Sequence, residues 1–224
     1  MKKKTTIDNI FFEASSRLKS NIVDQIRRLK FNEVIYWEKR YSNGGNSGIG
    51  SYDKLARYKA GVINSFIEKN NIQTVIEFGC GDGNQLSLYK TPSYIGLDIS
   101  SRAISLCRDK FEKDPTKNFI KYNDRLSNLD LQKAELTLSI DVIFHITKTK
   151  NLNKYLNNLF DYSKKFVLIY STNFNKKHKS IHQVDRKFSE YIENQITNFS
   201  LINVINNPHK GKETMSDFYI YKRH

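Results

Sequence analysis

From Ile7 to Leu29 the apolar residues recur every three or four positions, through Phe11, Ala14, Leu18, Ile22 and Ile26, marking one side of a long helix. Thr5 or Thr6 is placed to cap its start. A stripe of this kind can dock on its own domain, on a second copy of the chain or on a membrane surface, and the pattern leaves these open. From Tyr36 to Tyr52 the period is lost and four of the chain's ten glycines gather, so this stretch reads as a loop. The helical period returns from Tyr52 to Lys69, with Leu55, Tyr58, Val62, Ile63 and Phe66 on one side.

Beyond that point short β-rich runs alternate with helical ones. Strands are predicted at Thr74 to Phe78, Ser93 to Asp98, Asn118 to Tyr122, Glu135 to Ile140 and Phe166 to Tyr170. Helices fall between them at Asn84 to Tyr89, Ser100 to Phe111 and Leu152 to Ser163, with another at Phe188 to Thr197. Two closing strands, Ser200 to Asn206 and Thr214 to Tyr221, flank a turn at Asn207 to Lys212. Strands separated by helices form a parallel sheet, so the pattern predicts an α/β fold with a seven-stranded, mostly parallel sheet behind an N-terminal helical extension. No internal repeat is visible. The expected division is 1–52, helix and capping loop, and 53–224, the α/β unit.

A length of 224 residues suits one such domain, and 14 Phe and 13 Tyr supply burying capacity where hydrophobic residues total only 38%. The net charge of +14 raises the prospect of nucleic acid. Lysine is spread along the whole chain, however, with no Arg-rich aromatic stripe to track a strand, which favours a solvated surface and leaves an anionic small molecule compatible. Two cysteines, Cys80 and Cys107, without metal spacing or a disulfide framework, suit a reducing compartment, and no apolar run reaches membrane-spanning length. Cytoplasm is the expected location.

The strongest chemical signal is VIEFGCGDGNQL, Val75 to Leu86, a buried strand passing through a glycine-rich turn. Gly79, Gly81 and Gly83 allow a sharp turn and close approach to a ligand, as in dinucleotide sites. Glu77 before the turn and Asp82 within it put carboxylates where a pyrophosphate would be repelled and a cationic amine or sulfonium attracted. In YIGLDIS, Asp98 ends the next strand, where a carboxylate can accept both hydroxyls of a ribose or cap the helix that follows.

With E-x-G-x-G-x-G after the first strand and an acidic residue ending the second, the chain closely resembles the Rossmann-like class I S-adenosylmethionine-dependent methyltransferases across Thr74 to Tyr170. The resemblance implies S-adenosyl-L-methionine as donor and S-adenosyl-L-homocysteine as product. It places Glu77, Gly79, Cys80, Gly81, Gly83, Asn84 and Gln85 along the cofactor, Asp98 and Ile99 at its ribose, and Asn123 and Asp124 near its adenine. LTLSIDVIFHI, Leu136 to Ile146, resembles the element that closes the pocket, bringing in Ser139 and Asp141 on the cofactor and His145 toward the acceptor. WEKRY followed by GGNSGIGS resembles the cap of bacterial methyltransferases from surface-polysaccharide (capsule) gene clusters. That likeness implies Trp37, Arg40, Tyr41 and Ser51 over the cofactor, with Arg40 on its carboxylate, and Tyr52 toward substrate.

The implied acceptor is a small, anionic metabolite of capsular polysaccharide biosynthesis, such as a sugar hydroxyl or a phosphoramidate oxygen. For a hydroxyl, His145 is the candidate base, because imidazole titrates near neutrality; for an ionised oxygen it would only orient. His178, His182 and Arg186, in the long polar connection Ser171 to Phe188, are placed to contact an anion. No metal signature appears. An RNA or protein methyltransferase and a nucleotide-binding dehydrogenase are the rival functions, and a homodimer through the first helix is a further expectation.

Overall fold

The computed structural model describes residues 23–122, 131–178 and 180–224. Strands β1 (Thr74–Phe78), β2 (Ser93–Asp98), β3 (Lys117–Lys121), β4 (Ala134–Ile140) and β5 (Ser163–Ser171) lie parallel in the spatial order β3-β2-β1-β4-β5. The seven-stranded sheet continues antiparallel through β9 (Asp217–Arg223) and ends on β8 (Phe199–Ile205), so β9 alone runs against the others. β6 (Lys176–Lys177) and β7 (Val184–Asp185) pair separately as a small antiparallel hairpin. The expected α/β architecture and its seven strands are observed.

Helices cover both faces because the strands are apolar on both. In β1, Val75 packs with Ala60, Ile63 and Ile67 of α3 (Asp53–Lys69) and Ile104 of α4 (Ser101–Lys110). Its neighbours Ile76 and Phe78 point to the opposite side, against α5 (Thr149–Asp161) and α6 (Phe188–Gln195). α5 buries Leu152, Tyr155, Leu156, Leu159 and Phe160, one face at helical spacing. Each such apolar side chain is worth roughly 1.5–3 kcal/mol of burial. Ser100 caps α4 by accepting the Ala103 N–H at 3.1 Å.

Three elements differ from the pattern reading. Residues 33–42, expected largely as loop, form helix α2 (Glu33–Ser42), capped by Asn32, whose side chain accepts the Ile35 N–H at 3.1 Å. The loop proper is the stretch 43–48, ending in a 3-10 turn at Ile49–Ser51. The helix expected at Asn84 to Tyr89 shrinks to one 3-10 turn, Leu86–Leu88. Gly83 and Pro92 leave too few residues between them for a stable α-helix, and the Gln85 side chain is drawn off to the Ala56 carbonyl at 3.0 Å. The polar connection after β5 holds the β6–β7 hairpin.

Of the predicted N-terminal helix, 23–30 is described and helical, labelled α1, and the rest lies outside the described residues. Arg28 ties α1 to its own domain by donating to the His178 carbonyl at 2.7 Å and the Ser180 carbonyl at 3.4 Å, while Val23, Ile26 and Leu29 stay exposed. Among the described residues, no helix is long and apolar enough to cross a membrane.

Candidate active site

The C-terminal ends of β1, β2 and β4 open onto one cavity, the edge where parallel sheets bind ligands. Its floor is Glu77, Phe78, Gly79, Cys80, Gly81, Asp98 and Ile99, and its roof is Val34, Trp37 and Tyr41 of α2 with Ser47 and Ser51 of the loop beyond. The void is about 1180 Å³ counted out through its open mouth.

The turn after β1 is fixed from two sides. Gly79 and Cys80 both donate their N–H to the Leu97 carbonyl, at 2.6 and 3.0 Å. Asp98 then holds the turn to the start of α4, one oxygen accepting the Gly81 N–H and the other the Ser100 N–H, both at 2.9 Å. The three motif glycines have φ of +89°, +58° and +72°. A Cβ on Gly79 would sit 2.4 Å from the Val142 side chain, and one on Gly81 would sit 2.2 Å from Ser47 Oγ. The motif therefore clears other parts of the protein, and Gly81 in particular lets the roof close.

α2 and its loop are latched at three places. Ser47 and Asp82 bond reciprocally, N–H to carboxylate at 2.9 Å and N–H to hydroxyl at 3.0 Å, and Tyr52 donates to the same carboxylate at 2.8 Å. Glu38 accepts from Ser100 Oγ at 2.8 Å. Glu33 accepts the Thr147 N–H and hydroxyl at 2.9 and 2.6 Å. Asp82 is thus spent on the roof, and the expectation that it attracts a cation is corrected. Although half-burial opposes its charge, the Ser47 N–H, the Asn84 N–H at 3.0 Å and the Tyr52 hydroxyl hold its carboxyl below the ordinary carboxylate range.

Glu77 and Asp98 are the carboxyls that remain for a ligand. Burial pushes Glu77 up to about 7, against the short 2.5 Å bond it accepts from Tyr94. Burial likewise raises Asp98 to about 6, against its two backbone donors. Gln85 is buried beside them with its Oε1 lacking a hydrogen-bond partner among the described residues. Desolvated carboxyls and an orphaned acceptor suit a ligand bearing positive charge and N–H or O–H groups, which would lower the cost of each.

At the end of β4, Asp141 adopts φ of +59° and pairs at 2.5 Å with Lys59, a fully buried residue of α3. His145 closes a 3-10 turn, Ile143–His145, and stands edge-on to Trp37 at 5.0 Å. Its Nδ1 lies 3.1 Å from the His182 carbonyl, and desolvation lowers it to about 4.

A family model described as "Methyltransferase domain" matches residues 69–217. The chain belongs to this methyltransferase family. No curated protein matches it. Among solved structures, the N-methyltransferase NodS of Bradyrhizobium japonicum, in complex with S-adenosylhomocysteine, superposes with a TM-score of 0.67 at 8% identity, covering 86% of this chain and 99% of that one. Magnesium protoporphyrin IX methyltransferase of Synechocystis, with bound SAM, gives 0.63 at 13%, covering 87% and 98%. The methyltransferase domain of bacterial CtHen1-C gives 0.62 at 18%, covering 76% and 99%. Identities this low speak for the fold alone.

In this methyltransferase, Trp37, Tyr41, Ser51, Glu77, Gly79, Cys80, Gly81, Gln85, Asp98, Ile99, Asp141 and His145, all expected site residues, line the cavity. Asn123 and Asp124 lie outside the described residues. Several expected residues sit apart from it. Arg40 donates to the Asn46 carbonyl at 2.6 Å and stacks over Trp37, holding the loop. Ser139 is buried and accepts from the Tyr155 hydroxyl at 2.7 Å. Gly83 packs against Phe111 and Cys107, and Asn84 donates to the Ser51 carbonyl at 2.7 Å.

The expected anion contacts are also placed elsewhere. Arg186 donates to the carbonyls of Ile146, at 2.6 Å, and Thr147, strapping the β7 side of the hairpin to the segment just after the Ile143–His145 turn. His178 is exposed on the hairpin, and His182 stacks on Tyr36 at 4.8 Å, behind His145. Among the described residues, no group of three His, Cys, Asp or Glu could hold a metal. Lys59, Glu38, Ser47 and Tyr94 were missed in the sequence. Each acts through a partner 17 or more positions away, which no local pattern displays.

Proposed function

We propose that this enzyme transfers the methyl group of S-adenosylmethionine to a small polar metabolite of surface-glycan synthesis in the cytoplasm, a sugar hydroxyl or a phosphoramidate oxygen. One observation carries the donor assignment: Glu77 and Asp98, both desolvated, face the cavity beside the oxygen of Gln85 that lacks a partner among the described residues. The donor supplies an electrophilic methyl on a positively charged sulfur. Asp98 and the glycine turn would hold its nucleoside end, and Glu77 and Gln85 its cationic part. Trp37 and Tyr41 would exclude water above it.

Positioning does most of the work. Holding two reactants in line is worth about 7–11 kcal/mol, more than a base contributes. A roof latched on three sides supports a small acceptor over a long nucleic-acid strand, and the resemblance of the WEKRY and GGNSGIGS segments to capsule-cluster enzymes supports surface-glycan synthesis. Two free buried thiols suit the cytoplasm. Incubation with methyl-labelled S-adenosylmethionine and separate pools of nucleotide sugars, phosphorylated metabolites, RNA and protein tests the acceptor. Label is expected in the first two pools, and label confined to RNA or protein would overturn the proposal.

A further inference from the structure

We infer that the acceptor atom of this enzyme carries a hydrogen, a neutral hydroxyl and not an ionised phosphoryl-type oxygen, with His145 Nε2 receiving its proton and the His182 main chain acting as the positioning group. This rests on the methyltransferase reading and deepens it.

The geometry around His145 fixes which ring nitrogen is available. A backbone carbonyl only accepts, so the 3.1 Å contact between His145 Nδ1 and the His182 carbonyl puts the ring hydrogen on Nδ1. Nε2 then carries a lone pair, and it has no hydrogen-bond partner among the described residues. The ring is clamped in this pose by Trp37 edge-on at 5.0 Å and by the His182 ring, parallel at 5.6 Å. His182 is held in turn by Tyr36 and by Ser180 Oγ at 2.6 Å.

Burial keeps the ring neutral against the pull of the His182 carbonyl, and the groups facing it from each packed element add to the effect. Arg40 of α2 and both His182 and His178 of the hairpin disfavour a second positive charge, in the same direction as burial. A neutral imidazole offering a lone pair repels an ionised oxygen and welcomes an O–H.

Three cations around the site are committed. Arg186 is occupied by two carbonyls, Arg40 by Asn46, and Lys59 by Asp141. Lys154 is the one Lys or Arg among the described residues lining the cavity, and it enters from α5, not from the His145 turn.

In the reaction, His145 Nε2 takes the hydroxyl proton as the oxygen–methyl bond forms and the methyl–sulfur bond breaks. The positive charge given up at sulfur reappears on the imidazolium, which passes its proton to solvent, so the cavity never gains net charge. A weak base suffices because an oxygen gaining a methyl group becomes strongly acidic.

Two measurements test this. Long-range proton–nitrogen correlation spectra of the full chain with S-adenosylhomocysteine report the tautomer directly. The Nδ1–H form, neutral down to about pH 5 or below, is expected, and an Nε2–H form or an imidazolium at pH 7 would overturn the inference. Labelled methyl transfer is then compared between UDP-hexoses and methyl glycosides on one side and phosphoramidates and phosphomonoesters on the other. Label in the hydroxyl compounds is expected, falling about 100-fold or more in His145→Ala with donor affinity kept. Label only at ionised oxygens would refute it. Loss of donor binding in the wild-type chain, read by calorimetry, would instead strike the underlying methyltransferase reading.

Discussion

Glu77 is a carboxyl whose charge is set by its surroundings, and the cationic donor proposed to bind beside it makes that charge measurable. Burial lifts it from an ordinary 4.5 to about 7, so the folded chain without ligand holds a proton that the unfolded chain releases. The stability this contributes is complete below about pH 4.5 and is lost as pH rises through about 7. Thermal melts at pH 5 and pH 8 should therefore differ less for Glu77→Gln than for the wild type. Donor binding follows the opposite sign, because the ionised carboxylate attracts the cation. Affinity for S-adenosylmethionine should strengthen from pH 6 to pH 8, and Glu77→Gln should flatten that slope in calorimetric titrations.

Lys59 makes a second prediction at this scale. Removing one partner of a buried ion pair leaves the other charge uncompensated, at a cost of about 3–5 kcal/mol when both are fully buried and less here, since Asp141 is partly exposed. Lys59→Met should lower the denaturation midpoint clearly, and Lys59→Met with Asp141→Asn should recover part of the loss. Glu77, the glycines and Asp98 were legible in the sequence because their spacing across two successive strand ends is itself the signal. Lys59 was not, since a lysine in an amphipathic helix is ordinarily solvated and only α3's packing against β4 and β5 buries it.

Among the elements, α2 carries the most consequence, and sequence pattern concealed it. Its Val34, Trp37 and Tyr41 share one side at helical spacing, but that side faces the cavity and not the core, and Ile35 is exposed. The Asn32 cap and Glu33 in the first turn were the signal available. The strands and α3, α4 and α5 were legible because each turns an apolar face into one of the two layers that sandwich the sheet. Since Ser47 Oγ occupies the space above Gly81, Gly81→Ala should push the roof away as well as strain a residue at φ of +58°. Donor affinity is expected to fall at least tenfold by calorimetry, and proteolysis between residues 43 and 51 should accelerate. Glu38→Ala, which releases one latch and leaves the cavity floor intact, should mainly raise the donor's dissociation rate in stopped-flow measurements.

For the whole molecule, the net charge of +14 was the feature most open to misreading. Arg28, Arg40 and Arg186 spend their guanidinium groups on main-chain carbonyls, and Lys59 on a buried carboxylate, so part of that charge braces the fold around the cavity. The anionic acceptor expected from the polar connection after β5 drew on His178, His182 and Arg186, but around the β6–β7 hairpin His182 stacks on Tyr36, Arg186 is occupied by two carbonyls and His178 is exposed. That hairpin is set by cross-strand pairing, which residue types alone do not announce.

The central claim is that a cavity floored by desolvated carboxyls receives a positively charged methyl donor. Calorimetric titration of the full chain with S-adenosylmethionine, S-adenosylhomocysteine and NAD in parallel tests it most directly. Saturable binding of the first two, weakened by Asp98→Ala, with none for NAD, is the predicted result; tight uptake of NAD with neither adenosyl compound bound would contradict it.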